Sequence, residues 1–203
     1  MRAEITTSCK SVNTRYTRLN LLGWAMLCPH AIELLWHGST PLTQPSYSTA
    51  DESKELHDRL RDIVDNVLKS MNTGIISREV EYKLNIGFLK DDELLCARSK
   101  ADLLYTIKHG KDLMNLYIDV SSTRINVAKP WQVLLRGIAM YYEWRLPVGI
   151  IIVSPEKIRY KLLEDEDQKK ILRRINKKLE NLEPHPNLCS LCELVDYCPH
   201  KAI

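Results

Sequence analysis

The stretch that decides the fold is KADLLYTIKHGKDLMNLYIDVS, residues 100–121. Two apolar runs flank the polar break at 108–112, and Gly110 supplies the permissive backbone that a tight turn needs. This pattern predicts a β-hairpin whose turn is centred just after Gly110. The position of the turn fixes the register of the two strands, in which Asp102 lies opposite Asp119.

One face of this predicted hairpin carries both acids, because side chains along a strand alternate between its faces. The residues on that face are Asp102, Leu104, Thr106, Tyr117, Asp119 and Ser121. Opposed like charges destabilise a strand pair unless a partner neutralises them. Carboxylate oxygens suit Mg²⁺ or Mn²⁺. We therefore expect a metal site at Asp102 and Asp119; the competing interpretation is that both acids lie at solvated strand ends.

The segments around the hairpin predict an α/β fold. A strand over 75–84 precedes the hairpin, Pro130 opens a helix over WQVLLRGIAMYYEW, and PVGIIIVS reads as a buried strand. A hairpin, a helix and a strand in this order form a sheet with a helical crossover.

Two further helices are predicted. The helix over 52–69 has His57 beside an apolar stripe, which consists of Leu56, Leu60, Ile63, Val64 and Val67. The helix over 165–182 turns Ile171, Leu172, Ile175, Leu179 and Leu182 inward. Its outer face is the most basic in the chain, with Lys169, Lys170, Arg173, Arg174, Lys177 and Lys178. This face is either ordinary solvated surface or a phosphate-binding surface.

Composition sets the broad class of protein. The 203 residues are 44% hydrophobic and 27% charged, as expected for one globular domain. The net charge of +3 permits a nucleic-acid partner without arguing for one. No apolar run approaches the roughly 18 residues of a membrane span, and the N-terminus lacks a signal-peptide pattern. We expect a cytoplasmic protein without a membrane partner; the sequence predicts no particular oligomeric state.

The cysteines predict a metal centre. Cys189, Cys192 and Cys198 lie in the tail CSLCELVDYC, and Cys28, in LCPHAIEL, is the best candidate for a fourth ligand. Iron–sulfur and zinc are the two candidates, and the five-residue gap before the last cysteine favours iron–sulfur. The leftover cysteines, at positions 9 and 96, are expected to be small buried hydrophobic residues, because disulfides are rare in the cytoplasm.

Taken in this order, the features resemble the iron–sulfur branch of the RecB-like nucleases. They are most similar to the CRISPR-associated RecB-like exonuclease family of the PD-(D/E)XK superfamily, from LCPHAIEL to YCPHKAI. The resemblance implies a restriction-endonuclease-like core, a mixed sheet flanked by helices, in a single domain over 1–203. Segments 1–50 and 183–203 would join at a [4Fe–4S] cluster. The cluster ligands implied by the resemblance are Cys28, Cys189, Cys192 and Cys198.

The resemblance also implies the residues of a DNA nuclease site. His57 of ELH, Asp102 of KADLL and Asp119 of YIDVS would bind Mg²⁺ or Mn²⁺ for phosphodiester hydrolysis. Gln132 of KPWQVLL would position the DNA strand or the attacking water. The implied substrate is single-stranded DNA or DNA ends. The implied setting is spacer acquisition with CRISPR adaptation proteins, or the DNA metabolism of viruses and mobile elements.

The chain departs from the family pattern at two positions. The third family motif carries a lysine two residues after its acid, where this chain has Ser121, and Arg136 replaces a tyrosine four residues after the glutamine. Lys129 or Arg136 would then have to bring a cation to the scissile phosphate. If neither does so, the alternative is a catalytically degenerate DNA-binding or complex-forming subunit. A zinc protein whose acids are incidental is the third hypothesis.

Overall fold

The computed structural model describes residues 3–10, 14–37, 50–70, 73–121, 127–154, 156–176 and 186–200, without the side chains at 50–54, 56, 57, 60, 109 and 186. The strands are β1 (Glu4–Thr6), β2 (Thr14–Arg18), β3 (Gly74–Lys90), β4 (Glu93–His109), β5 (Asp112–Val120), β6 (Val148–Val153) and β7 (Ile158–Leu162). The helices are α1 (Leu19–Ala25), α2 (Pro29–His37), α3 (Ala50–Ser70), α4 (Lys129–Trp144), α5 (Asp165–Ile175) and α6 (Pro186–Cys189), followed by a 3₁₀ turn at Val195–Tyr197.

In the described part of the chain, seven strands form one mixed sheet in the order β1-β3-β4-β5-β6-β7, with β2 pairing with β4. The pairs β3–β4, β4–β5 and β6–β7 are antiparallel, whereas β5 and β6 run parallel and are joined through α4. The parallel pair with its helical crossover confirms the predicted α/β class.

The central hairpin has the predicted turn and register. His109 pairs with Asp112 around Gly110, whose φ of +64° lies in the left-handed region that glycine adopts readily. The ladder continues in this register to Leu103, which pairs with Ile118. The predicted register is therefore confirmed along the whole paired length.

β4 changes its neighbour along its length. Its residues 94–98 pair with β2, and residues 103–109 pair with β5 on the same side. Residues 99–102 lie between these two ladders, so the sheet forks beside Asp102. On the opposite side of β4, Glu81 of β3 lies across from this fork at φ +53°. Left-handed backbone is unfavourable for a residue with a side chain, and such strain often accompanies functional sites.

Helices cover both faces of the sheet. The larger core lies on one face, where α1, α2, α4 and α5 pack; its residues include Leu22, Leu35, Leu135, Ile171 and the β5 residue Tyr117. The smaller core lies on the other face, beneath the C-terminal end of α3. Among the helices described, none combines the length and the apolar character that crossing a bilayer requires.

The predicted buried stripe of α3 is partly wrong. Leu68 is buried and Val64 is partly buried against the smaller core, but Ile63 and Val67 are 56% and 50% exposed. The helix touches the sheet along the i, i+4 row of Val64 and Leu68, so Ile63 and Val67 lie on the neighbouring row. The side chains at positions 56 and 60, which also belong to the predicted stripe, lie outside the described residues.

The basic helix α5 is described only to its end at Ile175, and the predicted positions 177–182 lie outside the described residues. Ile171 and Ile175 are buried, as predicted. On the basic face, Arg174 donates to the carbonyl of Met26 at 2.5 Å, and its guanidinium lies 4.5 Å from the ring centroid of Trp131. Part of this face therefore packs inside the fold.

Cys9 and Cys96 are bonded to each other in a disulfide, with 5.8 Å between their Cα atoms. The expectation of two separate buried thiols is thus wrong. The physical reason is the topology, because β2 pairs in parallel with 94–98 and brings the segment before it alongside Cys96. The bond fastens the N-terminal segment to the middle of the sheet.

This disulfide should contribute measurably to stability. Because it links residues 87 positions apart, its loss frees a long loop in the unfolded chain. We expect Cys9→Ser to lower the free energy of unfolding by about 2–4 kcal/mol, measured by urea denaturation. Dithiothreitol should destabilise the parent protein by a similar amount and leave the Cys9→Ser variant unchanged. Equal stability of parent and variant would contradict a formed bond.

Candidate functional site

Asp119 lies at the end of β5, facing α4, and is fully buried. Tyr117, two residues earlier on the same face, donates its hydroxyl to Oδ1 of Asp119 at 2.7 Å. The Arg136 guanidinium also bonds Oδ1, and Lys129 Nζ lies 2.5 Å from Oδ2. Each carboxylate oxygen of Asp119 therefore has a cationic partner.

Asp102 reaches the same end of β5. Its Oδ2 accepts a hydrogen bond of 2.7 Å from the backbone N–H of Val120, the residue after Asp119. The two acids thus come together as the hairpin register predicts. The sequence argument expected a metal ion to relieve their repulsion. In the structure, cationic side chains of α4 neutralise Asp119.

These cations lie on one face of α4. Lys129 is the first residue of the helix, and Arg136 follows two turns later, so both project over the end of β5. Arg136 donates from Nε to the hydroxyl of Ser99 at 2.8 Å and from its other end to Tyr117 at 2.8 Å. Arg136 is therefore fixed by partners on β4 and β5. Both cations considered as replacements for the motif lysine reach Asp119.

The electrostatics of the cluster keep Asp119 ionised. Burial alone would raise its pKa, but the charges of Arg136 and Lys129 outweigh burial and hold the pKa of Asp119 below its ordinary value. Burial and the neighbouring acids hold the pKa of Tyr117 well above its ordinary value, so its hydroxyl stays protonated. Burial would lower the pKa of Arg136, but Tyr117 and Asp119 raise it overall.

Gln132 lies one turn after Lys129 but is directed towards α1. It is buried, and its Nε2 lies 3.5 Å from the backbone oxygen of Asn20. Asn20 and Trp24 donate in turn to the carboxylate of Glu193 in the cysteine-rich tail, at 2.8 and 3.2 Å. The described contacts of Gln132 therefore connect α4 to the cysteine-rich tail through α1. The predicted metal ligand His57 belongs to α3, and its side chain lies outside the described residues.

The four predicted cluster cysteines form no disulfides. Cys28 immediately precedes α2, and its carbonyl accepts from the backbone of the first turn. In the tail, Cys192 N–H donates to the carbonyl of Cys189, and Leu194 N–H donates to the sulfur of Cys192 at 3.4 Å. Tight turns and N–H···S contacts of this kind present cysteine sulfurs to a metal centre.

Cys28 also approaches the tail, although about 160 residues separate them in sequence. Burial raises the pKa of the Cys192 thiol, and the charges of Cys28, Cys198 and Cys189 raise it further. The sulfurs of Cys28, Cys189 and Cys198 therefore each lie within electrostatic range of Cys192.

A histidine pair beside the cysteines was missed from the sequence. His30 and His200 each follow a Cys-Pro dipeptide, and their rings stack with 4.2 Å between centroids. Ligand atoms of His30, Glu33 and His200 lie within 4.8 Å of one another. The repeated tripeptide Cys-Pro-His at 28–30 and 198–200 was the available signal.

Comparisons with known proteins add little to this description. No model of a known protein family matches the chain, and no curated protein sequence matches it. Among solved structures, the chain is similar to a crystal structure of a protein called SSO0001, with 15% sequence identity and a TM-score of 0.49. The match covers 97% of this chain and 91% of that one. The function must therefore be argued from the residues of the chain itself.

Proposed function

We propose that this chain is a metal-dependent DNA nuclease of the RecB-like PD-(D/E)XK type, with a lysine supplied by α4 in place of the motif lysine. The observation that carries the proposal is the 2.5 Å contact between Lys129 Nζ and Oδ2 of buried Asp119. Asp102 lies at the same end of β5. Paired acids and a lysine are the groups that the resemblance requires.

Lys129 is the better replacement for the missing lysine. Arg136 is fixed by Ser99, Tyr117 and Asp119, so its role is to position Asp119. Lys129 carries a compact ammonium on a flexible side chain, which can turn from the acid to a phosphate without moving the helix.

The donor chemistry of the site fits a hard cation. Asp102, Asp119, the carbonyl of Val120 and His57 would hold Mg²⁺ or Mn²⁺, whose preferred ligands are oxygens. When bound, such an ion supplies an activated water and neutralises the charge that develops on the scissile phosphate. The chain's own contribution is to hold Asp119 ionised, to place Lys129 beside it, and to shield Asp119 from bulk water.

We also propose that Cys28, Cys189, Cys192 and Cys198 hold a [4Fe–4S] cluster that joins the N-terminal segment to the tail. The approach of the four unpaired cysteines from both parts of the chain supports this assignment. Its role is structural, because a site formed only in the folded chain couples metal binding to folding. Glu193 lies between two of the ligands and bonds α1, so the cluster also braces the helix behind Gln132.

The setting of the reaction is proposed on the resemblance alone. It is the processing of single-stranded DNA or DNA ends in the cytoplasm, for CRISPR spacer acquisition together with adaptation proteins, or in viral and mobile-element DNA metabolism. Fold and site chemistry do not choose between these pathways.

A second candidate is a DNA-binding subunit that has lost hydrolysis. The observation that favours it is the full engagement of Asp119, whose side chain is 1% exposed and whose oxygens both contact cations. In this arrangement Asp119 stabilises the fold. It could bind a metal ion only after Lys129 has moved away from its carboxylate.

Cleavage of end-labelled single- and double-stranded DNA in the presence of Mn²⁺ separates the two candidates. We expect degradation by the parent protein that chelation abolishes and that Asp102→Ala and Asp119→Ala each reduce by at least about 100-fold. Asp112→Ala, at the exposed start of β5, is the matched control and should cleave like the parent. Retained DNA binding without cleavage by metal-loaded parent protein would establish the second candidate instead.

A further inference from the structure

A cleft of about 790 Å³ opens beside the fork in the sheet. Its walls come from the N-terminal segment, β2, β3 and β4, which the Cys9–Cys96 disulfide fastens together. The side chains that give the cleft its chemistry are Lys10, Tyr16, Lys83, Arg98, Ser99 and Lys100. They come from four separate segments, so no single stretch of sequence shows them as a group.

The cleft is strongly basic. Four cationic side chains and no acidic side chain line it in the described part of the chain. Lys100 is paired with Glu81 at 3.0 Å, outside the lining. Among the described residues, Lys10 and Lys83 take part in no ion pair, and both are exposed. Solvated cations arranged around a concave surface attract a polyanion.

The cleft also carries an aromatic platform. Tyr16 leaves 41% of its surface exposed, and the Arg98 guanidinium lies 4.2 Å from its ring centroid. The Tyr16 hydroxyl donates to the carbonyl of Cys9 at 2.9 Å, which fixes the ring against the N-terminal segment. An exposed ring with an adjacent guanidinium is a suitable surface for stacking an unpaired base.

The floor of the cleft leads to the acidic site. Ser99 lines the cleft and accepts the hydrogen bond from Arg136, which in turn bonds Asp119. One hydrogen-bonded chain of two side chains therefore connects the cleft wall to the buried acid. The side chain of Ser99 lies on the face of β4 that α4 covers, whereas its neighbours Arg98 and Lys100 lie on the cleft face.

We propose that this cleft binds a single strand of nucleic acid. Lys10, Lys83 and Arg98 contact its phosphates, and Tyr16 stacks on one base. A duplex has no unstacked base to offer Tyr16, and a cleft of this volume accommodates only a short stretch of a single strand. The inference rests on the proposed function and deepens it by assigning a surface that binds the substrate strand.

The test is binding of a fluorescent 12-nucleotide single-stranded DNA, followed by anisotropy in EDTA so that no cleavage occurs. We expect Tyr16→Ala to weaken binding about 5- to 100-fold, while Tyr16→Phe, which keeps the ring, binds like the parent. The triple variant Lys10→Ala, Lys83→Ala, Arg98→Ala should lower the slope of log affinity against log salt by about 2. The matched control is Lys108→Ala, Lys111→Ala at the hairpin tip, which should keep the parent slope.

Binding by the triple variant with the parent slope and affinity would overturn the proposal, as would equal binding of blunt duplex DNA. These outcomes are distinct from failure of the proposed function. Parent protein that binds through the cleft but never cleaves leaves the cleft assignment standing and rejects the nuclease. Cleavage that survives in the triple variant at parent affinity retains the nuclease and rejects the cleft.

Discussion

Replacing Asp119 by asparagine is expected to lower the free energy of unfolding at pH 7 by about 3–5 kcal/mol. The loss arises because Lys129 and Arg136, whose side chains are 18% and 15% exposed, would keep their charges without the buried partner. Urea denaturation of the two proteins measures it. Asp112→Asn, an exposed change on the same strand, should alter stability by no more than about 0.5 kcal/mol.

The stability difference between the parent and Asp119→Asn should also depend on pH. Because the pKa of Asp119 is lowered in the folded state, its stabilising contribution is fully present above the ordinary pKa of about 3.9. It is lost as the pH falls through the lower folded pKa. The stability difference between parent and Asp119→Asn should therefore shrink below about pH 4. A difference that stays constant from pH 7 into this acid range would contradict the ionised cluster.

A double variant isolates the ion pair itself. The double variant with Asp119→Asn and Arg136→Gln lacks one of the two buried cations that lose their partner. Its destabilisation should therefore be smaller than the sum for the two single variants. We expect a coupling energy of about 1–3 kcal/mol between these residues. Additive effects would mean that Arg136 and Asp119 do not interact in the folded protein.

Loss of one cysteine ligand is expected to have the largest effect on the tail. Cys28→Ser or Cys192→Ser should reduce iron from about four atoms per chain to near zero and remove the brown colour. Without the proposed cluster, the tail would no longer be linked to Cys28, because cluster binding is coupled to folding. Limited proteolysis should then cleave the tail. Anaerobic purification with iron and sulfide analysis makes this measurement.

Cys9→Ser is the matched control for the ligand variants. It also removes one cysteine, but its sulfur belongs to the disulfide with Cys96. It should therefore retain the iron content and the colour of the parent. Stoichiometric zinc in the parent protein, with no iron or sulfide, would reject the iron–sulfur assignment and keep the four ligands.

How much of this site the sequence could predict depends on how local each feature is. Gly110 and its flanking apolar runs fixed the hairpin and its register, because a two-residue turn determines all later pairs. The meeting of Asp102 and Asp119 follows directly from that register. The four-cysteine ligand set stays a prediction, made from three cysteines that concentrate in one short tail and from Cys28.

The rest depends on contacts between distant elements. The position of α4 over β5 decides that Lys129 and Arg136 contact Asp119, and neither residue lies in the hairpin that carries the acid. The Cys9–Cys96 bond, which joins residues 87 positions apart, arises because β2 pairs with β4. In the described part of α3, Val64 and Leu68 pack against the smaller core, whereas Ile63 and Val67 lie on the neighbouring, exposed row.

Under the proposed function, Lys129 takes the place of the motif lysine that is missing at position 121. Position 121 and position 129 lie on different elements, yet both are close to the end of β5, where Asp119 is located. In the proposed nuclease, a lysine at either position would contact the same phosphate. The chemistry of such a site depends on where the ammonium lies, and less on which backbone position carries it.

The most direct test of this account compares Mn²⁺-dependent cleavage of single-stranded DNA by three proteins: the parent, Lys129→Ala, and Lys129→Ala combined with Ser121→Lys. All three should be cluster-loaded and should bind the DNA. The account predicts a loss of about 100-fold or more in Lys129→Ala and substantial recovery when lysine is restored at position 121. Parent cleavage that Lys129→Ala leaves unchanged, or no cleavage by any of the three proteins, would contradict a nuclease with a lysine supplied by α4.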